Sequence, residues 1–345
     1  MYIRSTGMIS PQSSFSELLN GPVVYSGNRL TCIEPDYSKI LDPKLIRRMS
    51  HIIKMGVAAA MECLKEADVN NPDAIITGTA YGCLADTESF LTKMVENKEE
   101  LLTPTAFIQS THNTVGAQIA LMLKCHNYNN TFVHRGFSFE NSLLDAISLI
   151  GDEEASNVLV GGVDEITSIS YSILNRFGLY KRNAISSASI LQSNSKGTIA
   201  GEGAAFFLLT DQPSEQGYAE LNAVRTFYRP SGIDEVKRNI LSFVNDQSFN
   251  IDDIDVVICG RNGDVKNDSV YSELEQSLFS GKTIVSYKHL CGEYPTSSAF
   301  ALWLAANSLK TGQVPGATVN KRPESILIYN HYQNIHHSIY LLSAC

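Results

Sequence analysis

Short apolar segments alternate with longer segments of helical periodicity along most of the chain. This alternation is typical of a layered α/β protein with short connections between its elements. The segments predicted as strands in the first half are Ala74–Gly78, Thr131–His134, Asn157–Gly161 and Phe206–Leu209. Those in the second half are Asp255–Cys259, Ile284–Lys288, Ser325–Tyr329 and Ile339–Leu342.

Helices are predicted between these strands. Asp42 followed by Pro43 is typical of an N-cap and a first helical residue, and the pair predicts one long helix that ends near Ala67. Further helices are predicted over residues 85–97, 114–124, 140–150 and 296–309. Because a strand–helix–strand–helix–strand unit occurs twice, we expect duplicated halves that pack as sheets between helical layers.

A polar segment, residues 211–218, separates the two repeated units. A length of 345 residues suits either two domains or one large duplicated α/β body. We therefore predict an N-terminal half of residues 1–212 and a C-terminal half of residues 213–345.

The composition excludes several classes of protein. The net charge of −9 offers no positive field to nucleic acid, no apolar run is long enough to span a membrane, and the N-terminus lacks a signal-peptide pattern. The seven cysteines are scattered without a CxxC pair, which favours reduced thiols, a cytoplasmic location and no zinc site. The basic pairs Arg47–Arg48 and Lys181–Arg182 are interpreted as solvated surface.

Several segments, in the right order, resemble those of a known family. The segments are Gly161–Gly162 after a strand, Gly201–Ala205 before a strand, Pro104–Ala120 and Gly312–Pro315. Together they are similar to β-ketoacyl synthases, which have the thiolase fold. The resemblance implies an α/β protein with duplicated βαβαβ halves in five layers, α-β-α-β-α, that forms dimers.

The resemblance also implies where the catalytic residues of the family would fall. The family's nucleophilic cysteine, at a strand-to-helix turn, corresponds to Gly136, and a glycine cannot form an acyl-enzyme. Ser138 is close, but a serine hydroxyl needs a neighbouring base. His134 could be that base, although it is predicted inside a strand, where a histidine that packs in the core or an interface is the simpler interpretation.

The remaining catalytic positions of the family are also altered. Its two histidines, which stabilise the enolate, correspond to Gly260 and Glu293, whereas its lysine is kept as Lys288. The family's later aspartate corresponds to Asp268, and its Gly-rich loop corresponds to residues 330–337, which carry bulky side chains. We therefore expect no intact catalytic residue and no Claisen condensation by this chain.

A condensing-enzyme relative without these residues resembles a chain-length factor. The resemblance implies a heterodimer with an active 3-oxoacyl-ACP synthase, of the aryl-polyene/flexirubin or type II polyketide kind, in a fatty-acid-like biosynthesis. The acyl carrier protein would then be an indirect partner, and no cofactor is expected. Such subunits join through the strand before the nucleophile turn, here Thr131–His134.

Side chains near this turn are candidates for shaping the partner's acyl tunnel. The tunnel candidates are Phe107, Ile108, Thr111, His112, Phe137 and Phe139. Aromatic rings at the turn would fill volume that a substrate otherwise occupies. The alternative is that these side chains, like His134, only pack the core or the interface.

Two other functions remain open from the sequence. One is an acyltransferase with an unorthodox nucleophile, for which Cys259 and Cys291 are candidates beside the altered histidine positions. The other is a structural homodimer without an enzymatic partner. No metal is predicted at His336–His337, because consecutive strand residues point to opposite faces.

Overall fold

Fourteen strands organise the chain in the computed structural model, which describes residues 1–345. In the first half they are β1 (Tyr2–Ile9), β2 (Ser26–Gly27), β3 (Arg29–Leu30), β4 (Ala74–Gly78), β5 (Tyr128–Phe132), β6 (Asn157–Asp164), β7 (Ile185–Ser186), β8 (Ala200–Gly201) and β9 (Gly203–Thr210). In the second half they are β10 (Ala219–Tyr228), β11 (Val256–Cys259), β12 (Thr283–Ser286), β13 (Ser325–Tyr332) and β14 (His336–Ser343).

Twelve α-helices connect and cover these strands. The first eight are α1 (Phe15–Asn20), α2 (Pro43–Ile46), α3 (His51–Glu66), α4 (Leu84–Glu96), α5 (Pro104–Gln109), α6 (Thr114–Leu123), α7 (Ser138–Gly151) and α8 (Ser168–Arg176). The last four are α9 (Ile233–Asp246), α10 (Val265–Glu275), α11 (Lys288–Cys291) and α12 (Ser298–Thr311). No helix combines the length and the apolar character needed to span a bilayer.

Ten of the strands form a mixed sheet that contains the same unit twice. Its order is β12-β11-β13-β14-β10-β1-β9-β6-β4-β5. Within each group of five strands, the spatial order is third, second, fourth, fifth, first, and the fifth strand runs antiparallel to both of its neighbours. Only a short antiparallel pairing of β1 with β10, at Tyr2–Glu220 and Ile3–Ala219, joins the two groups. The predicted duplication is therefore confirmed.

The helices stack in three layers around the two five-stranded groups. Helices α7 and α12 lie between them, and their apolar side chains form one core with strands of both halves. Helix α12 is buried at twelve of its fourteen residues, which is expected for a helix in a central layer. Helices α3 and α6 cover the first half from outside, and α9 and α10 cover the second. The predicted α-β-α-β-α layering is confirmed.

The long helix predicted from Asp42 to Ala67 is wrong in one respect. Asp42 does cap a helix by accepting the amide N–H of Lys44, but α2 ends at Ile46, and α3 begins only at His51. Helix α2 buries none of its residues, whereas α3 buries ten against β1 and β9. Because tertiary packing supports only the second segment, the helix does not continue between them.

The division at residue 212 stays a prediction. Strand β9 ends at Thr210 and β10 begins at Ala219, so the polar segment between them does connect the two repeated units. However, the paired edges of β1 and β10 and the shared central core join the units into one packed body.

Candidate functional site

The turn at which the sequence predicts the family's nucleophile position lies between β5 and α7. The strand ends at Phe132, so the prediction that it extends through His134 is wrong; His134 is exposed and precedes a 3₁₀ turn of Arg135–Phe137. Ser138 closes this turn, because its hydroxyl accepts the His134 N–H at 2.8 Å and donates to the Arg135 carbonyl at 2.9 Å. Ser138 is fully buried, and its hydroxyl is committed to the backbone.

The space beside Gly136 is filled from the hairpin that joins β13 to β14. A Cβ atom added to Gly136 would lie 2.7 Å from Cβ of Tyr332 and 3.0 Å from Cβ of His336. Phe137 is buried against His336, with ring centroids 4.7 Å apart in an edge-on arrangement. The turn therefore has no room for the side chain of a nucleophile.

The first histidine position, Gly260, follows β11 and is also occupied. A Cβ atom there would lie 2.4 Å from Asn330 Oδ1 and 2.6 Å from the Tyr271 hydroxyl. Both oxygen atoms are held in place: Tyr287 donates to Asn330 Oδ1 at 2.8 Å, and the Tyr271 hydroxyl accepts the His331 N–H at 3.0 Å. These buried polar groups occupy the space that a side chain at position 260 would need.

The second histidine position, Glu293, forms a buried ion pair with the retained lysine. Lys288 Nζ lies 2.9 Å from both carboxylate oxygens of Glu293 and donates to the His331 carbonyl at 3.0 Å. Asn262 donates to Glu293 Oε2 at 2.6 Å. Burial raises the pKa of Glu293, and Lys288 opposes that shift. The positive charge of Lys288 and the negative charge of Glu293 therefore neutralise each other.

A close approach of two glycines positions Glu293. A Cβ atom on Gly201 would lie 2.0 Å from the Cys291 carbonyl oxygen, and one on Gly292 would lie 2.5 Å from Cα of Gly201. The Gly201 N–H then donates to the Glu293 carbonyl at 3.1 Å, and the Glu293 N–H donates to the Ile199 carbonyl at 2.9 Å. The glycines of both segments are needed because the two backbones touch.

The interpretation of Lys181 as solvated surface is wrong. Its side chain is buried, and Nζ donates to Ser193 Oγ, to Ser195 and to the Gly263 carbonyl at distances of 2.7–3.0 Å. These hydrogen bonds join the serine-rich loop, residues 185–198, to the segment that follows Gly260. Asp268 holds the same segment by accepting the N–H groups of residues 262 and 263. Nothing in the local sequence pattern distinguished Lys181 from its exposed neighbours.

The two candidate thiols are enclosed. Cys259 and Cys291 are buried, and burial raises the pKa of Cys259 to about 11 and that of Cys291 still further above its usual range. A protonated, buried thiol is a poor nucleophile. Their surroundings are those of small apolar packing groups.

The structure separates the predicted tunnel residues into three groups. His134 and Phe137 line a cleft described below, whereas Phe139 is completely buried in the central core against Phe207. Phe107 and Ile108 project from α5 and are 57% and 61% exposed. Thr111 and His112 follow in the segment before α6, where the backbone of His112 packs on the turn at Gly82.

Two adjoining cavities lie beside the filled centre, and their charges differ. The inner cavity, of about 200 Å³, is lined by four carboxylates and one ammonium group: Asp164, Glu165, Asp264, Glu293 and Lys266. The outer cleft, of about 1020 Å³, has no carboxylate in its lining and contains Arg135, Arg229, His134 and His336. The two cavities are separated by residues that line both of them, among them Tyr81 and Tyr332.

Sequence reasoning missed two carboxylates of the inner cavity, Asp164 and Glu165. Burial raises the pKa of Asp164 to about 6 and that of Glu165 to about 7. Asp164 accepts from Thr79, from the Ala80 N–H and from Thr296, so it ties β4 to the segment before α12. Asp164 ends the strand that contains Gly161–Gly162, and Glu165 follows it; this position is the only signal that could have drawn attention to them.

A sequence profile identifies the family of this chain. The sequence profile described as "Beta-ketoacyl synthase, N-terminal domain" matches residues 33–227, which is more than half of the chain. The chain therefore belongs to the β-ketoacyl synthase family, and the predicted family is confirmed. No curated protein sequence is significantly similar to it.

Solved structures extend the likeness over the whole chain. The ishigamide ketosynthase/chain length factor matches with a TM-score of 0.83 and 15% identity, over 100% of this chain and 98% of that one. A type II polyketide acyl-carrier protein in complex with its ketosynthase (AntDE:AntF) matches with a TM-score of 0.75 and 16% identity, over 100% of this chain and 99% of that one. The ketosynthase ApeO with its chain length factor ApeC from Xenorhabdus doucetiae matches with a TM-score of 0.75 and 14% identity, over 100% of this chain and 98% of that one. At these identities the likeness establishes the fold.

Proposed function

We propose that this chain is a non-catalytic ketosynthase-like subunit, a chain-length factor. It pairs with an active 3-oxoacyl-ACP synthase and shapes that partner's acyl tunnel. The observation that carries this proposal is the closed turn at Gly136, where Tyr332 and His336 leave no room for a nucleophile. The altered positions Gly260 and Glu293 support it, because neither an oxyanion nor an enolate would find an imidazole there.

The surface near β5 is suited to a partner of the same fold. Strand β5 is the last strand of the sheet and pairs only with β4, so its outer edge has unpaired backbone groups. Large apolar side chains are exposed on α4, α5, α6 and β5, namely Leu91, Val95, Phe107, Ile108, Leu121 and Tyr128. An edge strand flanked by exposed apolar groups favours association with a second subunit.

Within this surface, Phe107 and Ile108 are the candidates for contact with the partner's tunnel. They are exposed here, so a partner could cover them without any rearrangement of the core. Thr111 and His112 continue the same segment, and His134 and Phe137 lie at the turn beyond β5. Phe139 is buried inside the chain against Phe207 and has no exposed surface to offer a partner.

The class of pathway follows from similar proteins and is part of the proposal. Two of the similar structures contain a chain length factor, and one contains a type II polyketide acyl-carrier protein with its ketosynthase. Polyene, polyketide or fatty-acid-like biosynthesis is therefore the expected setting, with the carrier protein bound through the active subunit. Seven cysteines without a disulfide fit a reducing, cytoplasmic location.

Reconstitution with an active ketosynthase tests the proposal. We expect the purified chain alone to join no malonyl and acyl units, and to co-elute with the ketosynthase as a heterodimer that does. Condensation by the chain alone, or a stable acyl adduct on Cys259, Cys291 or Ser138 by mass spectrometry, would overturn it. A homodimer that ignores every ketosynthase tested would favour a structural role instead.

The tunnel assignment needs its own comparison. We expect Ile108→Ala in the reconstituted pair to lengthen the products, because it removes volume at the tunnel end. Phe137→Ala tests the turn in the same way. Val265→Ala is the matched control, since Val265 is an exposed apolar residue at the start of α10 in the other half. An unchanged product distribution for both variants would contradict the tunnel role.

A further inference from the structure

The outer cleft combines a positive rim with an aromatic lining. Two arginines and two histidines line it, Arg135, Arg229, His134 and His336, and no carboxylate does so. The two arginines of this cleft contrast with the net charge of −9 for the chain. A cleft of one sign, walled by apolar groups, concentrates ligands of the opposite charge even when the protein as a whole repels them.

Both arginines of the cleft are free of partners within the chain. Neither guanidinium forms an ion pair or a hydrogen bond; that of Arg229 lies only over the Tyr228 ring, 5.2 Å from its centroid. Both residues have left-handed backbone conformations, each with a φ of 48°. Gln333, which also lines the cleft, has a φ of 55°, so three lining residues have left-handed backbone conformations.

His336 supplies an independent sign of a missing ligand. It is 8% exposed, and its Nδ1 has no hydrogen-bond partner. Burial lowers its pKa, and the positive charges of His134, Arg135 and Arg229 lower it further. A buried polar atom without a partner is costly, and an oxygen atom of a ligand could remove that cost.

The rest of the cleft is apolar and largely aromatic. The rings are those of Tyr81, Phe137, Phe177, Tyr228 and Tyr332, with Val133, Leu174, Leu179 and Ile335 between them. Phe177 is 74% exposed at the mouth. Flat rings around a cleft of about 1020 Å³ suit a flat, conjugated or otherwise extended apolar molecule.

We propose that the outer cleft binds, without a covalent bond, an organic anion with an extended apolar or conjugated body. Its carboxylate or phosphate lies between Arg135 and Arg229 within reach of His336, and its body lies on the aromatic lining. The closed turn at Gly136 prevents covalent attachment there. This site goes beyond the proposed function, because it places a ligand on this chain rather than in the partner's tunnel.

Binding of an aromatic anion to the purified chain tests the site. We expect the fluorescent probe 1-anilinonaphthalene-8-sulfonate to bind, trans-cinnamate to displace it, and cinnamyl alcohol, which has the same body without the charge, to displace it poorly. The double variant Arg135→Gln/Arg229→Gln should bind the probe at least tenfold more weakly, and added salt should weaken wild-type binding. Arg47→Gln, an exposed arginine elsewhere, is the matched control and should bind like the wild type.

The outcomes separate this site from its alternatives. Equal affinities of the double variant and Arg47→Gln, or equal displacement by acid and alcohol, would overturn the proposal. An arginine-dependent complex with an acidic carrier protein, with no displacement of the probe by cinnamate, would overturn the small-ligand assignment in favour of a protein partner. Near-UV circular dichroism checks that each variant stays folded. Because no condensation is measured, failure here leaves the chain-length-factor proposal untouched.

Discussion

At the turn between β5 and α7, the space at the predicted catalytic centre is filled by carbon atoms. At the loops around Gly260 and Glu293 in the second half, it is filled by polar atoms. Beside Gly136 lie Cβ atoms of Tyr332 and His336. Around Glu293 lie the ammonium of Lys288 and the amide of Asn262, in a network with every charge paired. The two regions are therefore closed in two physically different ways.

The difference matters because the two kinds of closure fail differently. Truncation of an apolar side chain costs the burial of the atoms removed and leaves a cavity, but it leaves no unpaired charge. A buried ionic network depends on each member, because removal of one leaves an uncompensated charge in a low dielectric. We therefore expect the loops to be the more fragile of the two regions, although they contain more hydrogen bonds.

The largest effect is expected from removing Glu293. Glu293→Ala leaves the Lys288 ammonium buried without its counter-charge and should lower the free energy of unfolding by about 3–5 kcal/mol. Urea denaturation followed by circular dichroism measures this. The double variant Lys288→Met/Glu293→Leu, which buries no charge, should recover most of the loss. A single variant that loses less than about 1 kcal/mol would show that the pair is not the fragile element.

A somewhat smaller effect is expected from restoring the family's cysteine. Gly136→Cys forces a side chain against Tyr332 and His336 and should cost roughly 3 kcal/mol, at the upper end of overpacking. Gly151→Cys is the matched control, because Gly151 ends the helix that follows this turn and has no atom within 4 Å of an added Cβ. The new thiol should form no acyl adduct when incubated with acyl-CoA. A stable Gly136→Cys protein that is acylated would show that the turn is open.

The sequence was sufficient for the fold because the fold depends on periodic, locally readable features. Buried strands such as Ala74–Gly78 and Ser325–Tyr329 are short apolar runs, and the glycines of Gly201–Ala205 mark a close backbone approach. These features are set within a few residues of the chain. Family, duplication and layering could therefore be predicted.

The site was less predictable because its interactions join residues distant in the sequence. Gly136 could be identified as unable to react, but not as packed against Tyr332, which is supplied by the other half. Glu293 was identified only as an altered histidine position, and its ion pair with Lys288 emerged only from the geometry. Lys181 was misjudged for the same reason: its acceptors lie on two loops that no local pattern connects.

The smallest predicted effect concerns the hairpin of residues 330–337, which contributes to both closed regions. Within it, His337 is completely buried, and its Nδ1 lies 2.9 Å from the Tyr329 hydroxyl. Burial lowers the pKa of His337 to about 4 from an ordinary value of 6.5. Between pH 6.5 and pH 4, His337 therefore binds a proton in the unfolded chain but not in the folded chain. The free energy of unfolding consequently decreases as the pH falls towards 4.

From these values, His337 should account for about 2 kcal/mol of the stability lost between pH 7 and pH 5. His337→Asn keeps a partner for the Tyr329 hydroxyl but cannot be protonated, so its urea midpoint should fall less steeply over this range. The exposed His126→Asn should follow the wild type. Buried His289 and His331 titrate in the same sense, so a reduced slope, not a flat one, is expected. Identical slopes for the wild type and His337→Asn would contradict this prediction, because they would show that the titration of His337 contributes nothing to the loss of stability in acid.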